Sequence, residues 1–445
     1  MTSTTINEEE LRAARYASLR AHPISHAAEA LVGTLASMVE EHELATGTRK
    51  NKRKSKADTL KYATGAFLAD LLSPYGDDEP TPNPWVYRSL QGGKFAPAVP
   101  RRTFVPLVES LKGLGFLWQV ESHKVSQKPG EFASRFRATP ALLAFCGERG
   151  VNPAQVHDHF EFEYDLPEEV LQKRATKEGG YWIKTKPPGK PMNFDKGGIA
   201  QSIADVVREL NEFFARQKLR GGSHHGYVRI FHNGDDPTFS WNLGGRLYSQ
   251  HPHSYQSMSA EKRLKMTIND KPVAEIDIKA SYLTIFLALN GIQLDIDADP
   301  YELPGLGAEH RPAVKSWMVA TFGSSKPAVR WPSRMLKDNP ELRSYRVKII
   351  TEAALNKYPA LRGWGELKKD GHACSWADLM YEESVVMIGT MLDLKNKHNT
   401  PSLSVHDSLI VPAHRADVAI DALEARFRAN LGATPLLSRK VAKNV

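Results

Sequence analysis

The stretch Pro272–Gly291 reads PVAEIDIKASYLTIFLALNG. Its first half is a short apolar run with Asp277 at its end, which is typical of a buried strand that carries a polar residue at its tip. Its second half is almost continuously apolar and is long enough for one buried helix. We therefore expect a strand that delivers Asp277 and Ile278 and then turns directly into an apolar helix.

A second carboxylate lies in a predicted hairpin. PSLSVHDSLIVPA, Pro401–Ala413, has two short β runs on either side of His406-Asp407-Ser408. Each aspartate alone is compatible with an ordinary turn residue. Two carboxylates from separate strands, however, can hold two ions roughly 3.5–4 Å apart that activate a hydroxyl and stabilise a leaving oxygen. Mg²⁺, or Mn²⁺ in its place, suits such a site because it needs few carboxylates and keeps positions for water and phosphate.

RPAVKSWMVATFG, Arg311–Gly323, predicts a helix that carries two cations and an aromatic ring on one face. Lys315 follows Arg311 by one helical turn, and Phe322 follows Lys315 by seven residues. The two cations suit the phosphates of a nucleoside triphosphate, and the ring suits stacking on a base pair. Solvated cations and a core phenylalanine are the alternative interpretation.

The order of these segments resembles the polymerase core shared by family A DNA polymerases and single-subunit phage-type RNA polymerases. GGRLY comes first, then the strand-end Asp, then R-x3-K-x6-FG and VHDS, over roughly residues 239–413. The resemblance implies three groups of site residues. They are the catalytic and metal-binding Asp277 and Asp407 with the Ile278 carbonyl; the nucleotide-binding Arg311, Lys315 and Phe322; and the primer–template residues Gly245, Arg246 and His406.

The resemblance also implies fold and activity. We expect an α+β fold, a right-hand polymerase palm with small helical fingers, and a DNA polymerase that adds dNTPs to a primer 3′ end on a DNA primer–template with two Mg²⁺ ions. A primase or small DNA-dependent RNA polymerase stays open, as does a DNA-binding replication or regulatory protein with an inactive palm. The spacing from Lys315 to Phe322 is one residue shorter than in both families, and Phe stands where Tyr is usual. No acidic exonuclease signature lies upstream, so we expect no proofreading.

Tyr282 lies five residues after Asp277. This Asp-x4-Tyr spacing resembles motif A of reverse transcriptases and family B DNA polymerases, where the tyrosine is a steric gate against the ribose 2′-hydroxyl. The resemblance implies that Tyr282 contacts the nucleotide and favours dNTPs. A buried packing role is the alternative.

Residues 101–140 predict a helix followed by a β-hairpin. The helix has Thr103 as its N-cap candidate, and Gly113 and Gly115 end it. The hairpin, FLWQVESH and FASRFRAT around a turn at QKPGE, has a basic rim of Lys124, Lys128, Arg135 and Arg137. The pattern resembles a winged-helix domain, which implies contact with duplex DNA. A protein-interaction module is the alternative.

The sequence pattern predicts four regions. They are a helical N-terminal region with a connector (1–84), a winged-helix-like domain (85–160), a connecting, thumb-like region (161–235), and palm with fingers (236–445). The basic run RKNKRKSK, Arg49–Lys56, is either a solvated loop or a phosphate contact.

Charge and cysteine content narrow the function classes. Lys and Arg number 59 against 51 Asp and Glu, which favours a polyanionic partner. Two cysteines, Cys146 and Cys374, are too few for a disulfide framework or a cysteine-rich zinc site, which favours the cytoplasm. The N-terminus is acidic without an apolar core, and no apolar run reaches membrane-spanning length, so we expect no secretory signal and no membrane partner.

Overall fold

A computed structural model of the chain describes residues 8–53, 56–76, 83–90, 95, 98–121, 133–177, 189–250 and 254–442. The chain has a mixed α+β fold in two compact units, Met1–Asp165 and Leu166–Val445. Each unit has its own hydrophobic core. Within the described residues, none of the helices combines the length and the hydropathy of a membrane span.

The first unit packs helices against a four-stranded sheet whose order is β1-β3-β5-β4. Its strands are β1 (Arg15–Tyr16), β2 (Ala21–Pro23), β3 (Val86–Arg88), β4 (Leu117–Val120), β5 (Ser134–Ala138) and β6 (Phe160–Phe162). Its helices are α1 (Glu8–Arg12), α2 (His26–Ala45), α3 (Ala57–Leu72), α4 (Arg101–Gly113), α5 (Pro140–Gly147) and α6 (Val156–His159). The predicted helix and antiparallel hairpin strands are thus present as α4, β4 and β5.

The start of α4 differs from its prediction. The residue at the N-cap position is Pro100, and Thr103 is already inside the helix with 8% of its surface exposed. Pro100 has extended backbone angles, φ −64° and ψ 144°, and directly precedes Arg101, the first helical residue. The N-cap assignment of Thr103 is therefore wrong.

The basic run after α2 folds back on that helix in its described part. Arg49 and Arg53 both form ion pairs with Glu43, whose side chain is 1% exposed, and Arg53 also contacts Glu40. A buried carboxylate needs such partners because its desolvation is costly. These two arginines therefore stabilise the end of α2 and are not simply solvated.

The second unit is built on two antiparallel-rich sheets. The larger has the order β16-β17-β13-β12-β9, with β18 added beside β13, and the smaller has the order β11-β10-β7-β8. The strands are β7 (Leu171–Arg174), β8 (Pro191–Met192), β9 (Leu219–Arg220), β10 (Tyr227–Phe231), β11 (Gly244–Ser249), β12 (Thr267–Ile268), β13 (Lys271–Ile278), β14 (Lys368–Lys369), β15 (His372–Ala373), β16 (Leu403–Val405), β17 (Ser408–Pro412) and β18 (Leu437–Val441).

One long helix connects the layers of this unit. The helices are α7 (Gly198–Phe214), α8 (Ala260–Arg263), α9 (Ser281–Leu289), α10 (Arg311–Phe322), α11 (Ser333–Asp338), α12 (Val347–Lys357), α13 (Trp376–His398) and α14 (Ala416–Leu431). Helix α13 packs against β11, α9 and α14. It starts at a capping box in which the side chains of Ser375 and Asp378 bond reciprocally to the backbone. Because α13 touches both the sheet and α9, its side chains reach the junction after β13.

That junction is a sharp turn from strand to helix, as the sequence predicts. Strand β13 ends at Ile278 and α9 begins at Ser281, with Ala280 in the left-handed region at φ 50°. A non-glycine residue in that region costs on the order of 1 kcal/mol or more, so the surrounding packing must hold it there. The turn allows the strand to present Asp277 immediately before the buried helix.

Candidate active site

Two aspartates meet where β13 pairs with the hairpin β16–β17. Asp277 lies opposite Ser408 in the antiparallel register, and the backbone N–H of Ile278 donates to the carbonyl of Asp407 at 3.0 Å. Asp407 occupies the two-residue turn between β16 and β17. Residues 130 positions apart in sequence thus become neighbours through backbone pairing. The predicted convergence of the two carboxylates follows from this register.

The electrostatics of the two aspartates favour a bound cation. Burial, with the carboxylate of Glu383 next in effect, raises the pKa of Asp407 to about 6. Burial and the carboxylate of Asp407 also raise the pKa of Asp277. Among the described residues neither aspartate has an ion pair within 4.0 Å, and the Asp277 side chain accepts only a long contact of 3.5 Å from Ser438 Oγ. Two half-buried carboxylates that repel each other without a cationic contact fit a divalent ion.

The described side chains provide no larger metal cluster. No group of three or more His, Cys, Asp or Glu side chains in the described ranges is arranged to hold an ion. The residues that fit a metal here are Asp277 and Asp407, with the backbone of Ile278 beside them. Mg²⁺ binds in this way, through one or two carboxylates while water and phosphate oxygens complete its coordination.

Two buried Arg–Glu pairs flank the aspartates. Arg263 donates to both carboxylate oxygens of Glu275 at 3.1 and 2.8 Å, and Ser408 Oγ donates to the same carboxylate at 3.0 Å. Arg246 Nε donates to Glu383 at 2.7 Å, and Ser281 Oγ donates to it at 2.7 Å.

The two glutamates are 2% and 1% exposed, so their charges are compensated within the protein. The predicted primer–template residue Arg246 is thus already engaged with Glu383.

Helix α10 presents two exposed cations but not the predicted ring. Arg311 and Lys315 are exposed on this helix, and the positive charge of Lys315 opposes the rise that burial causes in the pKa of Asp277 and of Asp407. Phe322 is 3% exposed and packs against Phe286 and Trp364 at ring-centroid distances of 5.9 and 5.1 Å. The stacking role predicted for Phe322 is therefore corrected to a core role, because its ring is enclosed by other aromatic rings and is not exposed to a base pair.

Tyr282 and Gly245 lie close to this core. The half-buried ring of Tyr282 is 6.2 Å from that of Phe322 and 5.7 Å from the guanidinium carbon of Arg246. Gly245 has φ 80° where β11 bulges against β10, and a Cβ there would meet Phe231 and Ser384 at 3.1 Å. Glycine is required at position 245 by this backbone conformation.

His406 precedes Asp407 with φ 56° and is half-buried. Burial and the positive charges of Arg246 and Arg263 lower the pKa of His406 to about 4, so its ring is neutral at pH 7. Within the described part of the chain its Nδ1 is buried without a hydrogen-bond partner. A buried ring nitrogen in this state is available to a ligand or water at the site.

The strand that borders Asp277 on its other side, β18, was not predicted from the sequence. In β18, Ser438 lies opposite Asp277 and Lys440 opposite Glu275. Burial and Asp407 raise the pKa of Asp277, and the positive charge of Lys440 partly opposes that rise. The short run LLSRKV, Leu436–Val441, has the length of a strand, but its position in the sheet depends on long-range pairing.

Two residues of the predicted basic rim, Arg135 and Arg137, lie among the described residues of the first unit. Arg135 is 4% exposed, and its guanidinium donates to the carbonyls of Leu11 and Ala133 at 2.7 and 2.6 Å. It is therefore a buried structural residue and not part of an exposed rim. Arg137 is half-buried, with its guanidinium carbon 5.1 Å from the ring centre of Trp118. Lys124 and Lys128 lie outside the described residues.

No protein-family model and no curated protein matches the chain. Among solved structures, it is similar to the polymerase domain of Pol1 from M. smegmatis in a complex with DNA primer-template and dNTP, at 15% sequence identity and a TM-score of 0.30. The match covers 54% of this chain and 50% of that one, so the chain spans about half of the length of that domain. The chemistry of the site therefore rests on its own residues.

Proposed function

We propose that this chain is a template-directed nucleotidyltransferase, a DNA polymerase that adds dNTPs to a primer 3′ end. The observation that carries the proposal is the position of Asp277 on β13 opposite Ser408, next to Asp407 in the turn before β17. Neither aspartate has an ion pair in the described residues, and Lys315 acts electrostatically on both. In phosphoryl transfer, an anionic substrate must approach the two carboxylates. Bound cations and a nearby lysine are needed because they neutralise the negative charges that would otherwise repel each other.

Each group of site residues has its own role in the proposed reaction. Asp277, Asp407 and the Ile278 backbone would hold two Mg²⁺ ions, which supply activation of the primer hydroxyl and stabilisation of the leaving oxygen. Lys315 and Arg311 bind the triphosphate and offset the charge that moves to the leaving pyrophosphate. The neutral His406 donates or accepts one hydrogen bond beside Asp407, at the primer end.

The finer assignments belong to the same proposal. The Tyr282 ring, next to Arg246 and Phe322, excludes the ribose 2′-hydroxyl and makes dNTPs the preferred substrate. In this proposal the palm and fingers are residues 236–445, and residues 161–235 form a connecting, thumb-like region. The α4–β4–β5 arrangement supports a winged-helix-like domain at residues 85–160 that contacts duplex DNA.

Primer extension with matched variants tests the proposal. We expect Asp277→Asn and Asp407→Asn each to abolish incorporation of dNTPs with Mg²⁺, while primer–template affinity and the melting temperature stay close to those of the unchanged chain. Asp421→Asn is the control, because Asp421 is an exposed aspartate on α14. Extension within a few-fold of the unchanged chain in either active-site variant would contradict the mechanism.

The same assay separates the two rival functions. Incorporation of rNTPs in preference to dNTPs, with or without a primer, would favour a primase or RNA polymerase. DNA binding without incorporation of either nucleotide in the unchanged chain would favour a binding protein with an inactive palm.

A further inference from the structure

The segment before α10 holds Arg311 in one orientation. Arg311 Nε donates to Asp299 Oδ2 at 2.5 Å, and its guanidinium carbon lies 5.2 Å from the ring centre of Tyr301. The carboxylate thus fixes one edge of the guanidinium, and the aromatic ring lies near it at cation–π distance. These two contacts restrict the orientation of the guanidinium before any ligand arrives.

The segment itself is anchored, so it can serve as a rigid support. Lys357 Nζ donates to the carbonyls of Asp299 and Glu302 at 3.0 and 2.7 Å, and the Tyr358 hydroxyl donates to that of Pro300 at 2.9 Å. The second carboxylate oxygen of Asp299 accepts from the Tyr301 backbone N–H at 2.9 Å. Both oxygens of Asp299 are therefore in use, one for the loop and one for Arg311.

The segment also lies within electrostatic reach of the active site. Burial, together with the carboxylates of Asp407 and Asp277, raises the pKa of Tyr301 to about 12, while the positive charge of Arg311 opposes the rise. Tyr301 therefore interacts electrostatically with both aspartates and with Arg311. The contact between Asp299 and Arg311 belongs to the neighbourhood of the proposed metal site and not to a remote surface.

The bond to Asp299 uses only the Nε side of the guanidinium. Its Nη1 and Nη2 groups have no hydrogen-bond partner among the described residues. An arginine whose Nη atoms are free presents donors that match two phosphate oxygens. Lys315 lies one helical turn along the same helix and adds a second cation for the same ligand.

We propose that Asp299 and Tyr301 are positioning residues that aim the Nη edge of Arg311 at the polyphosphate of an incoming nucleoside triphosphate. The inference rests on the proposed function, and it adds two residues outside the polymerase-like motifs to the nucleotide site. The ordinary alternative is a surface ion pair. Arg311 and Asp299 side chains are 46% and 32% exposed, so such a pair contributes little to stability. A large effect of Asp299 on nucleotide use would therefore have to arise from orientation.

A double-mutant cycle tests this role. We expect Asp299→Ala to raise the KM for dNTP by about tenfold with a small change in kcat, because a misplaced cation loses much of its contact with phosphate. In an Arg311→Ala background the same change should alter KM less than twofold. Asp299→Asn keeps an acceptor oxygen, so its KM should lie between that of the unchanged chain and that of Asp299→Ala. Tyr301→Leu removes the ring beside the guanidinium of Arg311 and should also raise KM.

Binding measurements and a matched control complete the design. Asp297→Ala removes an exposed carboxylate two residues away in the same loop and should leave KM unchanged. The dissociation constant for dNTP with Ca²⁺ in place of Mg²⁺ should rise in Asp299→Ala by the same factor as KM. Primer–template affinity and melting temperature should stay unchanged.

The failures of the two proposals are distinguishable. If Arg311→Ala raises KM but Asp299→Ala does not, or if Asp299→Ala acts equally in both backgrounds, the positioning role is wrong and the polymerase assignment stands. If the unchanged chain neither incorporates nor binds any nucleoside triphosphate, both proposals are wrong.

Discussion

Removing Arg246 should destabilise the second unit far more than removing an exposed lysine. The side chain of Glu383 is 1% exposed and that of Arg246 is 17% exposed. Among the residues that the structure describes, the other hydrogen bond to the Glu383 carboxylate comes from Ser281 Oγ. Arg246→Ala would leave a buried carboxylate without its cation. Loss of one partner of a buried pair costs about 3–5 kcal/mol, which in a unit of this size corresponds to a fall in melting temperature of about 6–20 °C.

The control is an exposed ion pair in the same unit. Lys218 and Asp270 are 48% and 61% exposed at their side chains and 3.1 Å apart. Lys218→Ala should therefore cost less than about 1 kcal/mol. The double replacement Arg246→Met with Glu383→Leu should recover most of the lost stability, because two apolar side chains need no charge compensation.

Calorimetry on the full chain measures the effect, with the transition of the second unit assigned by hydrogen exchange. Primer–template affinity is measured on the same samples below the melting transition. If Arg246→Ala melts like Lys218→Ala while DNA affinity falls, Arg246 is primarily a DNA contact and its pairing with Glu383 is unimportant. If the double replacement is as unstable as the single one, charge compensation does not explain the cost.

Three further changes have expected outcomes. Lys315→Ala should lower kcat/KM for dNTP by about 2–4 kcal/mol of transition-state stabilisation, measured by steady-state extension, and an unchanged value would remove Lys315 from the phosphate site. Tyr282→Ala should raise incorporation of rNTP relative to dNTP by more than about tenfold in a competition assay, and an unchanged ratio would leave Tyr282 a packing residue. Burial raises the pKa of Asp70 from 3.8 to about 7, so its contribution to stability is full below its unfolded pKa and is lost as pH rises through about 7. The free energy of unfolding of the first unit should therefore fall by about 3 kcal/mol between pH 5 and pH 8, and Asp70→Asn should abolish this fall. An equal pH dependence in the variant would contradict this expectation.

The local elements were predictable because their signals lie in neighbouring residues. The apolar run before Asp277 and the apolar stretch after Ser281 correspond to β13 and α9. The alternation around Asp407 corresponds to the β16–β17 hairpin. The helical spacing of Arg311 and Lys315 corresponds to two exposed positions on α10. Each signal depends on side-chain periodicity, which the sequence contains directly.

By itself, the sequence determined the strand-to-helix turn after Asp277, the hairpin around Asp407 and the spacing of the two cations on α10. Only the tertiary structure decided that Phe322 is buried, that Arg135 belongs to a core, and that β18 borders Asp277. It also decided that Arg246 meets Glu383, 137 positions away. The physical reason is that the cost of burying a charge or a ring depends on what packs against it, and packing brings together residues whose separation leaves no trace in local periodicity.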